Sequence, residues 1–326
     1  MGNQTASVLG DDIKLQFGTQ PGSMPVTISP TQKIDFIQWA KSHKEDISDI
    51  LAKHGAILFT GMTIGGSKEF NEVFSEIIGE PLSYVNRTSP RDQVYEKVYT
   101  STTYPSDQPI NLHTENSYSK TFNRIIAFFC NTPADKGGET PIADEREVMK
   151  LLSPEELQTF REKGIMYERN IIEGVGLDWQ TTYQTSDKNV LHDILEKNDI
   201  SYQWVDDYHL RLNWVLPAFQ IHPVTKQEVW FNHMYFYHKS QYDPDVVDYF
   251  GEQSLPFTSY YGDGTDIEEE VVAKIKDYYT RKSVLYKWKK DDMLLLDNML
   301  FSHGRQPYEG ERSILAAMGI SQDFVN

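Results

Sequence analysis

The chain has 326 residues, with 31 basic and 48 acidic side chains and a net charge of −17. That balance argues against nucleic acid and anionic membrane surfaces as partners and favours a small molecule or a protein. The length suits one large domain, 1–326, and no Pro/Gly/Ser linker divides it. A single cysteine, Cys130, excludes an intrachain disulfide; its apolar setting, Ile125-Ile126-Ala127-Phe128-Phe129, predicts a buried strand thiol in a protein of the reducing cytoplasm. No charged and apolar leader opens the chain, and no apolar run reaches the roughly 18 residues of a membrane span. Met1-Gly2 is not read as an acylation signal, because Ala6 stands where that motif takes Ser or Thr.

In chain order, Thr31 to His54 carries Ile34, Ile37, Trp39, Ile47, Ile50 and Leu51 at approximate helical spacing and stops at Gly55. This predicts one helix, followed at once by a short strand from Ala56 to Thr60. Ser67 reads as the N-cap of a helix whose Phe70, Val73, Phe74 and Ile77 make a stripe suited to packing on a sheet. Ser153-Pro154-Glu155-Glu156 has the form of a capping box with proline in the first turn, opening a helix to about Lys163. From Ile110 onward strand-like runs dominate: Arg124 to Cys130, Gln203 to Leu212, Glu228 to Phe236, Met293 to Asp297 and Ser313 to Met318. A helix from about Ile267 to Tyr279 follows the turn at Gly262 to Thr265. Many strands from distant stretches, with helices at the periphery, predict an α+β chain built on a double-stranded β-helix, or jelly roll, flanked by helices.

His113-Thr114-Glu115 places an imidazole and a carboxylate two residues apart, which on a strand puts both on one face. A second imidazole from His303, after the apolar run Leu294-Leu295-Leu296-Asp297, would complete the facial triad of a non-heme Fe(II) oxygenase, with positions left for cosubstrate and oxygen. Alone, the His-x-Glu pair is a weak pattern, and His303 reads equally as a structural histidine. Arg312 opens a run whose Ile314, Ala316 and Met318 face the interior, so its guanidinium needs an anion there, from a ligand carboxylate or from an acid of the chain. Gly137-Gly138-Glu139-Thr140-Pro141 is a tight turn that either presents the Thr140 hydroxyl or merely closes a hairpin.

Taken together, His113-x-Glu115, Gly137-Gly138-Glu139-Thr140, Asp297-Asn298, His303-Gly304-Arg305 and Arg312 resemble the taurine dioxygenase superfamily of Fe(II)/2-oxoglutarate-dependent oxygenases over roughly Gly55 to Met318. The glutamate form of the first motif, with Pro141-Ile142-Ala143-Asp144-x-Arg146 and Trp230-Phe231-Asn232, is similar to the clavaminate synthase and syringomycin aspartate-hydroxylase side, whose substrates are amino-acid-like. The resemblance implies that His113, Glu115 and His303 bind Fe(II), that Arg312 and Thr140 bind the distal carboxylate of 2-oxoglutarate, and that O2 is consumed while succinate and CO2 leave. It implies hydroxylation, with desaturation or cyclisation as variants; the retained Glu115 argues against halogenation. Ala316 stands where the resemblance would place the sulfonate-binding arginine of taurine dioxygenase, which speaks against a sulfonate substrate. The stretch 169–263, between the two halves of the ligand set, corresponds to the variable lid of the superfamily. The substrate stays open between a free amino acid, an aminoacyl group on a carrier protein and another small metabolite.

Asn116, Ser117 and Tyr118, next to Glu115, are candidates for a substrate pocket, with packing an equally good reading, and Arg87 and Arg91 for a substrate carboxylate, although loop arginines more often pair with surface acids. His233 and His238, five residues apart on a strand, would face opposite sides and make a poor metal pair; His222 before Pro223 reads as a turn residue. Two other classes remain. A zinc hydrolase could use two histidines and a glutamate but has no need of Arg312 and Thr140, and a non-catalytic jelly-roll binding protein has no reason to combine the His-x-Glu pair, His303 and Arg312.

Overall fold

The computed structural model describes residues 8–19, 22–83 and 91–325, so Arg87 lies outside the described residues. Its central layer is an eight-stranded sheet in the order Ile13–Phe17, Val26–Pro30, Ala56–Phe59, Met293–Asp297, Thr121–Thr132, Ser313–Asp323, Val98–Thr100 and Gln93–Tyr95. The strand Thr121–Thr132 is covered on both faces. Ile125, Ala127 and Phe129 point to one core cluster, and Ile126, Phe128 and Cys130 to the other. A strand buried on two sides has no polar face, so it reads as a continuous apolar run. Burial and the neighbouring Asp292 push the Cys130 thiol up to about 12, which leaves it an inert core group.

On the outer face lie the helices Phe36–Ser42, Lys44–His54 and Ser67–Ile77, whose Phe36, Ala40, Ile47, Leu51, Phe70, Val73, Phe74 and Ile77 fill the first cluster. Facing the inner side is a three-stranded sheet of Ile110–His113, Phe301–Arg305 and Ile142–Asp144, which shares the second cluster through Leu112, Phe301 and Ile142. These two facing sheets are the jelly roll. A four-stranded sheet, in the order Ser201–Asp206, His209–Leu216, Ile165–Ile172 and Phe257–Tyr261, joins the same cluster through Tyr167, Leu216 and Tyr261. It also carries a small core of its own, where Leu191 and Leu195 of the helix Lys188–Lys197 meet Ile171, Leu210 and Leu212. Among the described residues no helix is long and apolar enough to cross a membrane.

Several local expectations need correction. The single helix from Thr31 to His54 is two helices. Asp35 caps the first by accepting from the Gln38 amide at 3.1 Å, and the chain turns at His43, whose Nδ1 lies 2.9 Å from the Trp39 carbonyl oxygen. Gly66, at φ 106°, occupies the N-cap position expected for Ser67; there Glu69 reaches back to the Gly65 amide at 2.6 Å, supplying an acceptor the serine does not. The expected strand Gln203 to Leu212 breaks into two at Asp207-Tyr208, because the Asp206 carboxylate accepts from the Tyr208 amide at 2.7 Å and forms a turn. The run from Glu228 to Phe236 pairs only as Glu228–Trp230, after which the Asn232 side chain donates to Ala218 O at 2.9 Å, accepts from the Met234 amide at 3.0 Å and starts the short helix Met234–Tyr237. The capping box at Ser153 forms as read, with both reciprocal bonds present, and its helix is Pro154–Lys163. Gly55 ends its helix at φ 77°, and a Cβ there would sit 2.6 Å from the Phe301 ring, so the tight passage from helix to strand needs glycine.

A buried acid ties the three-stranded sheet to the helix Glu269–Lys282. Glu145 is 1% exposed, and its carboxyl oxygens lie 2.9 and 3.0 Å from the Tyr279 hydroxyl. Burial raises its pKa to about 8, so in the folded chain the carboxyl keeps its proton at neutral pH. The unfolded chain gives up that proton near the ordinary glutamate value, about 4.3. Between the two values the folded state holds the extra proton, so this group contributes stability that is present in acid and lost as pH rises toward 8. Glu145→Gln is expected to gain stability relative to wild type across that window, on the order of 1 kcal/mol per pH unit, read from denaturant midpoints at pH 5 and pH 8. A constant difference between the two proteins would remove the buried proton from the account.

Candidate active site

The strand Ile110–His113 pairs with Phe301–Arg305, setting His113 directly opposite His303. Directly opposed residues of a pair project to the same side, so both imidazoles share a face; one step further the register shifts, so that Arg305 meets Ile110. Gly304 sits in the tight contact, where a Cβ would meet Ile110 O at 2.5 Å. The two imidazole centroids are 4.6 Å apart, and His303 Nε2 is 3.8 Å from Glu115 Oε2. One ligand atom from each of His113, Glu115 and His303 falls within 4.8 Å of the others.

Glu115 reaches this cluster by a route other than strand alternation. The strand ends at His113, and Glu115 lies in the turn that follows. Its position is held from across the fold: Asn298 Oδ1 accepts from the Glu115 amide at 2.7 Å, while Asn298 Nδ2 donates to Glu115 O at 2.9 Å and to Asn123 O at 2.8 Å. The carboxylate itself accepts from Arg91 Nη2 at 2.7 Å, so the carboxylate that Arg91 meets here is the chain's own.

The residue chemistry fits a divalent transition metal. His113 Nδ1 lies 2.8 Å from the Asn111 carbonyl oxygen, which can only accept, so Nδ1 carries the hydrogen and Nε2 keeps its lone pair. Burial lowers the pKa of both His113 and His303; the neighbouring His113 lowers that of His303 further, while Glu115 offsets only part of the effect at His113, which leaves neutral rings suited to ligation. His303 Nδ1 is buried with no hydrogen-bond partner among the described residues. Two neutral imidazoles and one carboxylate form the mixed N/O set that Fe(II) takes with open positions.

The cluster opens into a cavity of about 860 Å³. Thr140 lines it, buried, with Oγ1 accepting from Trp288 Nε1 at 3.1 Å. Arg312 lines it too. Its Nε donates to Gly138 O at 3.0 Å, and Gly138 must lack a side chain because a Cβ would come within 3.0 Å of the arginine. Burial, and then the charge of Arg305, lower the Arg312 pKa to about 10, a sign of a guanidinium short of negative charge. Asn116 and Tyr118 also line the cavity, joined by a Tyr118 hydroxyl to Asn116 Oδ1 bond of 3.1 Å. Ser117 is instead fully buried and bonds to Thr114. Phe128, Phe236, Tyr237 and Phe257 add an aromatic part to the wall, beside polar residues such as Ser101, Asn111 and Gln241.

Three residues have a larger part than their sequence context indicates. Asn298 clamps Glu115, as described. His222, expected only in a turn, is fully buried and puts Nε2 2.9 Å from Asp297 Oδ2, while Nδ1 accepts from the amides of Val224 and Thr225. It anchors the turn that leads to His303. His233 is buried in the cavity wall 5.6 Å from the His113 ring, outside the ligand cluster, with Nδ1 held 3.1 Å from Thr114 O. It sits just before a helix rather than on a strand, so the opposite-face reasoning does not apply, whereas His238 is turned to Ser240. The signal for His233 was its place directly after Trp230-Phe231-Asn232.

The family model for the taurine catabolism dioxygenase TauD, TfdA family matches residues 20–318. The dapdiamide synthesis protein DdaC of Enterobacter agglomerans is 37% identical over 276 residues, covering 83% of this chain and 84% of that one. A clavaminate synthase-like protein of Arabidopsis thaliana is 28% identical over 312 residues, 91% of either chain. Among solved structures, a taurine dioxygenase from Burkholderia xenovorans overlays with a TM-score of 0.54 at 12% identity, covering 95% of this chain and 90% of that one. PvcB, an Fe, alpha-ketoglutarate dependent oxygenase from an isonitrile synthetic pathway, overlays with a TM-score of 0.52 at 14% identity, over 94% and 90% of the two chains. These overlays establish the shared jelly-roll fold. With a family match across nearly its whole length, the chain belongs to the TauD/TfdA dioxygenases and is an oxygenase that uses Fe(II), 2-oxoglutarate and O2.

Proposed function

We propose that this oxygenase hydroxylates an unactivated C–H bond of an amino-acid-like small metabolite in a biosynthetic route, with His113, Glu115 and His303 holding Fe(II) and with Arg312 and Thr140 holding the distal carboxylate of 2-oxoglutarate. The observation that carries this reading is the meeting of that ligand set, within 4.8 Å, with the two carboxylate-binding candidates in one cavity. When bound, the iron with 2-oxoglutarate and O2 supplies the oxidation, releasing succinate and CO2. The name of the similar DdaC, a dapdiamide synthesis protein, supports the biosynthetic setting.

The chain's own part is placement. Asn111 fixes the His113 tautomer, and Asn298 with Arg91 fixes Glu115. Because Thr140 Oγ1 accepts from Trp288, its hydroxyl hydrogen is free to point at a carboxylate beside Arg312. Asn116 and Tyr118 are the residues we assign to the substrate, which is free or attached to a carrier protein. We read 1–326 as one cytoplasmic oxygenase domain in which 169–263 shapes the substrate side.

The test is succinate release from 2-oxoglutarate with Fe(II), over a panel of free and acylated amino acids. Arg312→Ala is expected to raise the 2-oxoglutarate requirement about thirtyfold or more, since a buried charge loses its partner, while Fe(II) affinity is unchanged. Lost metal with an unchanged 2-oxoglutarate requirement would contradict the assignment, and zinc-supported hydrolysis without 2-oxoglutarate would favour a hydrolase.

A further inference from the structure

Two guanidinium groups, not one, border the cosubstrate end of the cavity. Arg305 lies two residues beyond His303 on the same strand, and therefore on the same face. It is 3% exposed. Its Nη1 donates to Tyr104 O at 2.8 Å, and its Nη2 donates to Gln108 O at 2.7 Å and to Pro105 O. The guanidinium carbon stands 5.3 Å from the centroid of the Tyr308 ring, and that of Arg312 stands 5.4 Å from the same centroid. The two cations thus share one aromatic ring.

A buried arginine ordinarily meets a carboxylate. Here neither does: the ion pairs among the described residues involve neither Arg305 nor Arg312. Asp107 and Glu139, the acids that act on them, are beyond ion-pair distance. Carbonyl dipoles solvate the Arg305 edge but leave its charge, and its buried Nε has no hydrogen-bond partner among the described residues. One arginine and one hydroxyl suffice to bind a carboxylate, so the second cation adds positive potential at a place already supplied with donors.

We propose that Arg305 is a positioning residue for the cosubstrate: without touching it, Arg305 adds to the field that draws the distal carboxylate of 2-oxoglutarate to Arg312, and so sets the preference for a dicarboxylate. This rests on the assignment of Arg312 and Thr140 made above. Arg305 also fastens the backbone at residues 104–108 to the strand that carries His303, so a charge effect must be separated from a loop effect.

The separation comes from two ligands. Full-length enzyme loaded with Mn(II), which binds without turning over, is titrated calorimetrically with 2-oxoglutarate and with 2-oxovalerate, the five-carbon 2-oxo acid that lacks the distal carboxylate. Arg305→Gln, which keeps a donor for the loop but no charge, is expected to bind 2-oxoglutarate about tenfold more weakly and 2-oxovalerate within about twofold of wild type. Arg305→Lys, which keeps the charge, is expected to retain the wild-type preference. Equal loss of both ligands in Arg305→Gln, or a lysine variant that folds yet has lost the dicarboxylate preference, overturns the proposal, and the lysine comparison stands even where the glutamine variant does not fold. Arg312→Met separates the two claims. If it leaves 2-oxoglutarate binding unchanged, the Arg312 assignment falls; if it weakens binding while Arg305→Gln does not, the Arg305 inference falls alone.

Discussion

Glu115→Ala is expected to bring Fe(II)-dependent succinate release to background, a loss of more than about a hundredfold in kcat/KM, beyond what removal of a residue that merely supports a metal ligand costs. The variant leaves two imidazoles facing each other at 4.6 Å with no anion between them. It also strips Arg91 of the carboxylate held at 2.7 Å, and both partners of that pair are buried. Two effects follow. The site loses its negative ligand, and the buried Arg91–Glu115 ion pair is broken. Fe(II) binding followed anaerobically should therefore weaken together with thermal stability, and a Glu115→Ala protein that still releases succinate at the wild-type rate would remove the carboxylate from the ligand set.

Asn298→Ala should be the most damaging change at a residue that touches neither metal nor substrate. Its amide makes three buried hydrogen bonds, two of them to the backbone of Glu115. Alanine would strand the Glu115 amide hydrogen and the carbonyl oxygens of Glu115 and Asn123 away from water, at roughly 1–3 kcal/mol for each unsatisfied group. Even where the protein still folds, the loss of orientation is expected to weaken Fe(II) binding by about 10–100-fold. Asn298→Asp is the sharper comparison: it keeps the acceptor for the Glu115 amide but cannot donate to the two carbonyls, so its metal affinity should resemble that of the alanine variant. Wild-type Fe(II) affinity in both would show that the turn holds Glu115 unaided.

The residues that meet in the candidate site were legible in the sequence because the residue types are chemically restrictive. Two histidines, an acid and an interior arginine in that order leave few chemistries. The physical route to it was less legible. Alternation on a strand predicts that His113 and Glu115 share a face, yet the strand ends at His113, and Glu115 is held by a side chain 183 positions away. No local pattern announces such a clamp. The same holds for His222, whose turn was visible but whose bond to Asp297 depends on the turn's packing against the strand end at Asp297. In the periphery, the two-helix start escaped detection because apolar spacing continues across His43 while the backbone does not. The jelly roll itself was readable from strand-like runs, and their misjudged ends lay where Asp206 or Asn232 gives the backbone a local alternative to the ladder.

The pairing of His113 with His303 joins strands from distant parts of the chain, so the proposed ligand set is absent from any unfolded or half-folded form. Ferrous ion then acts as a thermodynamic clasp on the whole domain. A hundredfold excess of free ion over its dissociation constant adds about 2.7 kcal/mol to the unfolding free energy. Iron starvation would accordingly lower not only the turnover of this enzyme but the lifetime of the folded chain.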